Sequence, residues 1–285
     1  MLDRGPFDSY PDIVWRTIGA LNTYGTNAIE GNTLTHAEVE RVIMDREGVK
    51  KPIQDILVTV QHESAFRGLM GRRARAIDMV TILELHEDVF KGVMADAGQW
   101  RRTRVQIRGA SSTPPGPEKV VSRMEAFIQE YGRRDIGGED AFVLGAWFHH
   151  GFESIHPFSD GNGRVGRLVL NLHFLRHSWP PINVLPSDRT EYLDALERAG
   201  QGDLEPLKEF IEIRMASSLL SLLSMVGTTR DELRPLTDFE VTERYSAKYL
   251  SLRAGQGELP AVRGGKRWLT SRRALDLYVT EKARK

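Results

Sequence analysis

Three observations predict a mostly α-helical protein that contains one short β-hairpin and ends in a small module of helices around a β-wing. Apolar residues recur at helical spacing over most of the first 226 positions. That spacing fails at 98–117 and again at 261–268, where Gly, Pro and strand-forming Val and Ile take over. Between the two lies His156-Pro157-Phe158-Ser159-Asp160-Gly161-Asn162-Gly163-Arg164-Val165-Gly166-Arg167, which gathers a base, a carboxylate, glycines and two arginines into one turn and the helix start after it.

Composition sets the frame. With 285 residues, 40 % of them hydrophobic and 27 % charged, the chain suits one large soluble domain and a small second one. The 39 basic residues balance 39 acidic ones, so nucleic acid or membrane binding requires a local patch. Cysteine is absent, which excludes disulfides, thiolate catalysis and zinc held by sulfur, and fits a reducing cytoplasm. The first residues lack an apolar signal core, and no run approaches the roughly 20 apolar residues of a membrane span. A cytoplasmic protein without membrane attachment is expected.

The elements follow in order. Ile13, Val14, Ile18, Ala20 and Leu21 predict a helix from Pro11 to about Ala28, stopped by Gly31 and Asn32. Glu30 sits poorly at that end, because the helix dipole disfavours an anion there, and it calls for a cationic partner. Thr35 and Glu38 form a capping box that opens a helix through about Glu47. A long helix runs from Ile53 to about Arg75 and carries His62 as a core or polar-face residue, and another runs from Met79 to Met94. A strand or hairpin around Gln106, Ile107 and Arg108 comes next, then a helix from Glu118 to Tyr131. A buried helix through Phe142 to Phe148, with His149 and His150 in structural roles, leads into the glycine-rich stretch. Helices from Arg189 to Ala199 and from Leu204 to Val226 complete the large part. The regions are drawn at 1–75, 76–227 and 237–285.

The glycine-rich stretch carries the chemistry. Gly161-Asn162-Gly163 leaves its N–H groups uncovered and can curl into an anion-binding nest at a helix N-terminus, for which phosphate is the natural guest. On a helix Arg167 lies about 60° round from Arg164, so both guanidinium groups can lean over that anion. The helix is apolar nearly all round, and arginines at its N-terminal end oppose the dipole, so a shared anion explains them better than helix stability does. Asp160 can hold a hard divalent cation that bridges phosphate oxygens, and His156 is the nearby group suited to taking a proton near neutral pH.

This stretch resembles, position by position, the H-x-F-x-[DE]-G-N-G-R-x-x-R signature of the Fic family. The resemblance implies transfer of AMP from ATP to a hydroxyl of a target protein. His156 would be the base and Asp160 would hold Mg²⁺. Gly161, Asn162 and Gly163 would stabilise the transferring phosphoryl, and Arg164 and Arg167 would grip the outer phosphates. Thr26-Asn27-Ala28-Ile29-Glu30-Gly31 is similar to the family's [ST]-x-x-x-E-[GN] inhibitory motif, which implies that Glu30 pairs with Arg167 and blocks the γ-phosphate. By the same resemblance Gln106, Ile107 and Arg108 would form the flap that docks the target, and Tyr192 would stack on adenine, although a surface hairpin and a core tyrosine remain equal readings. Relatives that remove AMP, or that transfer UMP, phosphocholine or a bare phosphate, keep the reaction open.

The tail differs. Residues 261–285 hold eight Lys or Arg against two acids. Lys248-Tyr249-Leu250, Leu259-Pro260-Ala261-Val262 and Trp268 resemble excisionase-like winged helix-turn-helix modules, which implies DNA as a partner. A basic tail that docks a protein is the alternative, as is a DNA-bound regulator whose core only senses nucleotide. A homodimer is left open.

Overall fold

The computed structural model describes residues 11–107, 113–227, 229–239, 245–264 and 266–283. Two compact units divide the chain, one of residues 15–211 and one of 212–285 with the residues before 15. Residues 15–75 of the predicted N-terminal region fall in the same unit as the glycine-rich stretch.

In the larger unit, α1 (Asp12–Ile29) ends where Asn32 N–H reaches Asn27 C=O and Gly31 takes a left-handed φ of 89°. The capping box of Thr35 and Glu38 opens α2 (His36–Glu40), but the helix widens into one π-turn over Arg41–Asp45 and stops at Arg46, short of the predicted end. Two helices, α3 (Ile53–Arg72) and α4 (Met79–Phe90), follow, the second capped by the Asp78 carboxylate on Thr81 N–H. After α5 (Val120–Ile136), Asp140 caps α6 (Ala141–Ile155). The glycine-rich turn then starts α7 (Asn162–Arg176), and α8 (Arg189–Gly200) and α9 (Glu205–Val226) complete the helical run, α9 continuing past residue 211 into the second unit.

The core is built on α7, which packs on α3, α4 and α6. Val165, Leu168, Val169, Leu172 and Phe174 on it are fully buried, as are Phe90, Phe148, Phe152 and Phe158 around it. Each such side chain contributes about 2–3 kcal/mol by leaving water. A helix buried on every side is a firm base for groups at its N-terminus.

No strand pairs among the described residues of 98–117. Residues 101–107 run without regular structure, Gln106 is exposed and Ile107 half-buried, and Arg108 lies outside the described residues. The middle of the expected hairpin, residues 108–112, lies outside the described residues; on either side of it the buried Arg101 guanidinium donates to the backbone carbonyls of Thr103 and Pro115.

The three strands lie in the second unit, as an antiparallel sheet in the order β1 (Arg234–Pro235), β3 (Arg267–Thr270), β2 (Val262–Gly264). With α10 (Ala247–Gly255), capped by Ser246, and α11 (Arg272–Ala283), the sheet encloses a separate core of Leu236, Phe239, Leu250, Leu259, Leu275 and Tyr278. Much of the tail's positive charge is matched locally: Arg273 pairs with Asp231, Lys282 with Glu258 and Arg272 with Asp276. Arg263 on β2, Arg267 on β3 and Lys266 just before it are exposed. No helix among the described residues is long and apolar enough to cross a membrane.

Candidate active site

The site lies where α6 hands over to α7. His156 ends α6 in a left-handed conformation, φ 52° and ψ 61°, that a residue with a β-carbon adopts at a cost of about 1 kcal/mol or more. Bonds on both sides hold it there. Its N–H donates to Phe152 C=O at 2.9 Å, and its C=O accepts from Arg101 Nε at 2.7 Å. Arg101 also reaches Ile155 C=O and donates its own N–H to Pro157 C=O. In the ring, Nδ1 lies 3.2 Å from Glu153 C=O, which fits Nδ1–H as donor and leaves the Nε2 lone pair unengaged among the described residues. Burial, above the other influences, keeps the imidazole pKa below its usual value, so the ring is a neutral base at neutral pH.

Two groups that the sequence reading does not single out aim the loop. One is Arg101, which nothing in the sequence distinguishes from its exposed neighbours Arg102 and Arg104. The other is His86, stacked on Phe158 with ring centroids 3.8 Å apart. Its Nδ1 accepts from Gly98 N–H at 2.8 Å and its Nε2–H donates to Asp160 C=O at 3.1 Å, so one neutral imidazole joins the start of the irregular segment to the loop.

Gly161 enters α7 at φ 80°, and a β-carbon there would fall 2.2 Å from the Phe90 ring, so only glycine fits. The first N–H groups of α7 have no intrahelical acceptor. The Asn162 side chain is not free to join them. It is 1 % exposed, its Oδ1 accepts from Phe158 N–H at 2.8 Å and its Nδ2 donates to Phe158 C=O at 2.9 Å, so the expected direct contact with a phosphoryl group gives way to a role in folding the loop.

Glu30 occupies the mouth of this nest. Its Oε1 accepts from Arg167 Nη2 at 2.6 Å, and a β-carbon on Gly163 would lie only 2.2 Å from the same oxygen. Thr26 completes the grip, Arg167 donating to its Oγ1 at 2.6 Å and to its C=O at 3.2 Å. Burial raises the Glu30 pKa, but Arg167, with help from Arg164, outweighs it and holds the carboxyl below its usual range. The side chain is 31 % exposed, so water tempers the pair's strength. Arg164 lies nearby with its guanidinium 4.6 Å from the Phe90 ring centroid and 3.3 Å from Asp160 Oδ2, and its Nε is buried without a partner among the described residues.

Tyr192 is placed differently from its expected role on adenine. It is 3 % exposed, with its hydroxyl 2.7 Å from His149 Nε2 and 3.4 Å from Arg167 Nη1. Its ring packs against Phe210 and beneath Arg167, where no base can stack on it. Asp160, whose side chain is 68 % exposed, is the carboxylate open to a cation. Among the described residues no group of three or more His, Asp or Glu gathers around a common point. One carboxylate completed by water and phosphate oxygens is the donor pattern of Mg²⁺, so the residues fit that ion when it arrives with a nucleotide.

Comparison with known proteins places this geometry. Residues 76–174 match the Fic/DOC family model. Protein adenylyltransferase fic-1 of Caenorhabditis elegans is 28 % identical over 232 residues, covering 79 % of this chain and 45 % of the relative. Protein adenylyltransferase Fic of Nematostella vectensis is 28 % identical over 223 residues, covering 75 % and 52 %. The chain thus spans about half the length of the curated relatives it matches. A Fic domain containing signaling protein from Bacteroides thetaiotaomicron shares the fold, with a TM-score of 0.70 at 21 % identity over 76 % of this chain and 91 % of that one. Solved C. elegans Fic-1 gives a TM-score of 0.66 at 27 % identity over 75 % and 64 %.

Proposed function

From the match of residues 76–174 to the Fic/DOC family model we propose that the chain transfers AMP from ATP to a Ser, Thr or Tyr hydroxyl of a target protein under restraint by Glu30. The observation that carries the reading is the pairing of a base whose Nε2 is unengaged with an anion nest at the start of α7. In the reaction, Nε2 of His156 takes the hydroxyl proton. The oxygen attacks the α-phosphorus, the bond to the β-phosphate oxygen breaks, and pyrophosphate leaves. Arg164 and Arg167 bind the β- and γ-phosphates, and the N–H groups of Asn162 and Gly163 face the charge that builds on the α-phosphate, that of Gly161 being taken by Asp160 Oδ1 at 2.6 Å. Asp160 would hold Mg²⁺, which supplies charge neutralisation across the phosphates. Glu30 stands where an anionic phosphate would meet Gly163 and Arg167, and so excludes the productive pose.

Intact mass spectrometry of the protein and of Glu30→Gly after incubation with ATP and Mg²⁺ tests the reading. A gain of one AMP per modified site, larger in Glu30→Gly, is expected. A gain of one phosphate would make the enzyme a kinase, release of AMP from a premodified protein would make it a hydrolase, and no gain from Glu30→Gly would remove the restraint.

A second reading concerns the tail. Exposure of Arg263, Lys266 and Arg267 supports phosphate contacts with duplex DNA. Fluorescence anisotropy should show binding that weakens with salt at a log–log slope of about −2.7 for three phosphate contacts. Unchanged binding after replacing all three by Ala, or no binding at all, rules it out.

A further inference from the structure

One ionisable group in the site has no task in the reaction above. Glu153 stands on α6 one turn before His156, with its Oε1 buried and without a hydrogen-bond partner among the described residues and its Oε2 4.0 Å from His156 Nδ1. From α7 it is met by Gly166, where a β-carbon would fall 2.4 Å from Oε1, so the space for this carboxyl exists because residue 166 has no side chain. The side chain is 14 % exposed. A carboxyl so placed is costly to ionise unless a charge answers it. Facing it are Arg167 on α7, Glu30 after α1, Tyr192 on α8 and His156 at the end of its own helix. Burial has the largest effect and pushes its pKa up to about 8, with Arg167 pulling it down and Glu30 pushing it further up.

We propose that Glu153 is a positioning residue for His156: the two form one coupled titrating site, and the proton affinity of the imidazole follows the charge on the Glu153 carboxyl. While Glu153 is neutral, the ring answers first to burial, which disfavours imidazolium, then to the Glu153 backbone carbonyl, which favours it, and then to the Arg101 guanidinium against Glu30 and Asp160. Once Glu153 ionises, a negative charge 4.0 Å from Nδ1 favours the imidazolium that forms as Nε2 takes the acceptor proton. Nothing is transferred between the two groups, since Nδ1–H stays on the Glu153 carbonyl. This role rests on His156 being the base proposed above, and its consequence is a site that quickens as pH climbs through about 8.

Histidine-labelled NMR of the whole chain without nucleotide, from about pH 5 to about pH 9.5, tests it directly. The His156 signals should show two inflections, its own and one near Glu153's, with Nδ1 protonated in the neutral ring. Glu153→Gln, similar in shape and without charge, should keep the tautomer and lose the second inflection. Glu30→Gly should move that inflection to lower pH by removing a facing negative charge. In the Glu30→Gly protein, kcat for AMP transfer should rise about tenfold across it, and adding Glu153→Gln should flatten the rise with KM for ATP unchanged. One inflection in the unaltered protein, which needs no variant to observe, or survival of the second in Glu153→Gln, overturns the coupling whatever group is transferred. A pH effect on KM alone would assign Glu153 to Arg167 and overturn it too. Two inflections without any AMP transfer would support the coupling and sink the reading of the reaction.

Discussion

The Glu30 carboxylate and the Cα of Gly163 share one space: a methyl group on Gly163 would lie 2.2 Å from Glu30 Oε1 and 3.0 Å from Arg167 Nη1. The oxygen is the far end of a flexible side chain and can retreat. Gly163→Ala should therefore break the Glu30–Arg167 pair as Glu30→Gly does, but fill the hollow a phosphate needs. AMP transfer by Gly163→Ala should stay at least about tenfold below that of Glu30→Gly, and ATP binding by calorimetry should be weaker than in the parent. Equal activation of the two variants would show that the hollow is not where the phosphates go.

Arg101 spends its guanidinium on four carbonyls, those of Thr103, Pro115, Ile155 and His156, at 2 % exposure. Arg101→Ala leaves several buried acceptors unpaired and should cost about 3 kcal/mol or more in urea unfolding. Arg101→Lys keeps the charge but not the planar fork, and should recover less than half of that. Both should slow AMP transfer by letting His156 relax from its left-handed backbone.

How far the sequence reveals this site depends on the range over which each residue acts. The all-round apolar pattern of α7 is local, so its burial and the odd arginines at its start are legible. Glu30 is legible because an anion in a last helical turn contradicts its neighbours. Arg101, His86 and Glu153 are not, since each does its work on backbone or side chains that folding brings close from elsewhere. Asn162 misleads for the same reason, its amide being consumed by Phe158, while of the readings left open for Tyr192 the core one holds, its hydroxyl taken by His149 and Arg167. The end of α2 near Gly48 and Pro52 is legible, but a π-turn with a left-handed Arg46 is not a feature composition announces.

Acid should unfold the larger unit early. Burial lowers the pKa of His86 and His173 to about 4 and of His62 and His149 to about 3, against 6.5 for an exposed ring. Each therefore contributes stability that is complete above about pH 6.5 and is lost as pH falls through the lower value, because the unfolded chain takes up the proton first. Each ring costs about 1.4 kcal/mol per pH unit in that window. Denaturant unfolding at pH 7, 5.5 and 4.5 should show a progressive loss, and replacing His62 by Gln should make the slope shallower by one proton. A stability independent of pH between about 6.5 and 4 would mean that these rings are hydrated or charged in the folded protein.

Tyr192 separates two accounts of one aromatic ring. If the ring stacked on adenine, Tyr192→Phe would keep the stacking face and leave ATP affinity and stability nearly unchanged, while Tyr192→Leu would weaken ATP binding. The observed hydroxyl instead lies between His149 Nε2 and Arg167 Nη1 in a buried setting. Tyr192→Phe should then cost about 1–2 kcal/mol of stability, since it strands a donor on Arg167 and a ring nitrogen of His149. Its kinetic effect should pass through Arg167. In a Glu30→Gly background, where Arg167 has lost that carboxylate, removal of the hydroxyl leaves Thr26 as its hydrogen-bond partner among the described residues, so KM for ATP should rise further than in the parent. A double-mutant cycle of Tyr192→Phe with Glu30→Gly, read by KM for ATP, should give a coupling of at least about 0.5 kcal/mol. Additive effects would return Tyr192 to a packing role without influence on the phosphate grip.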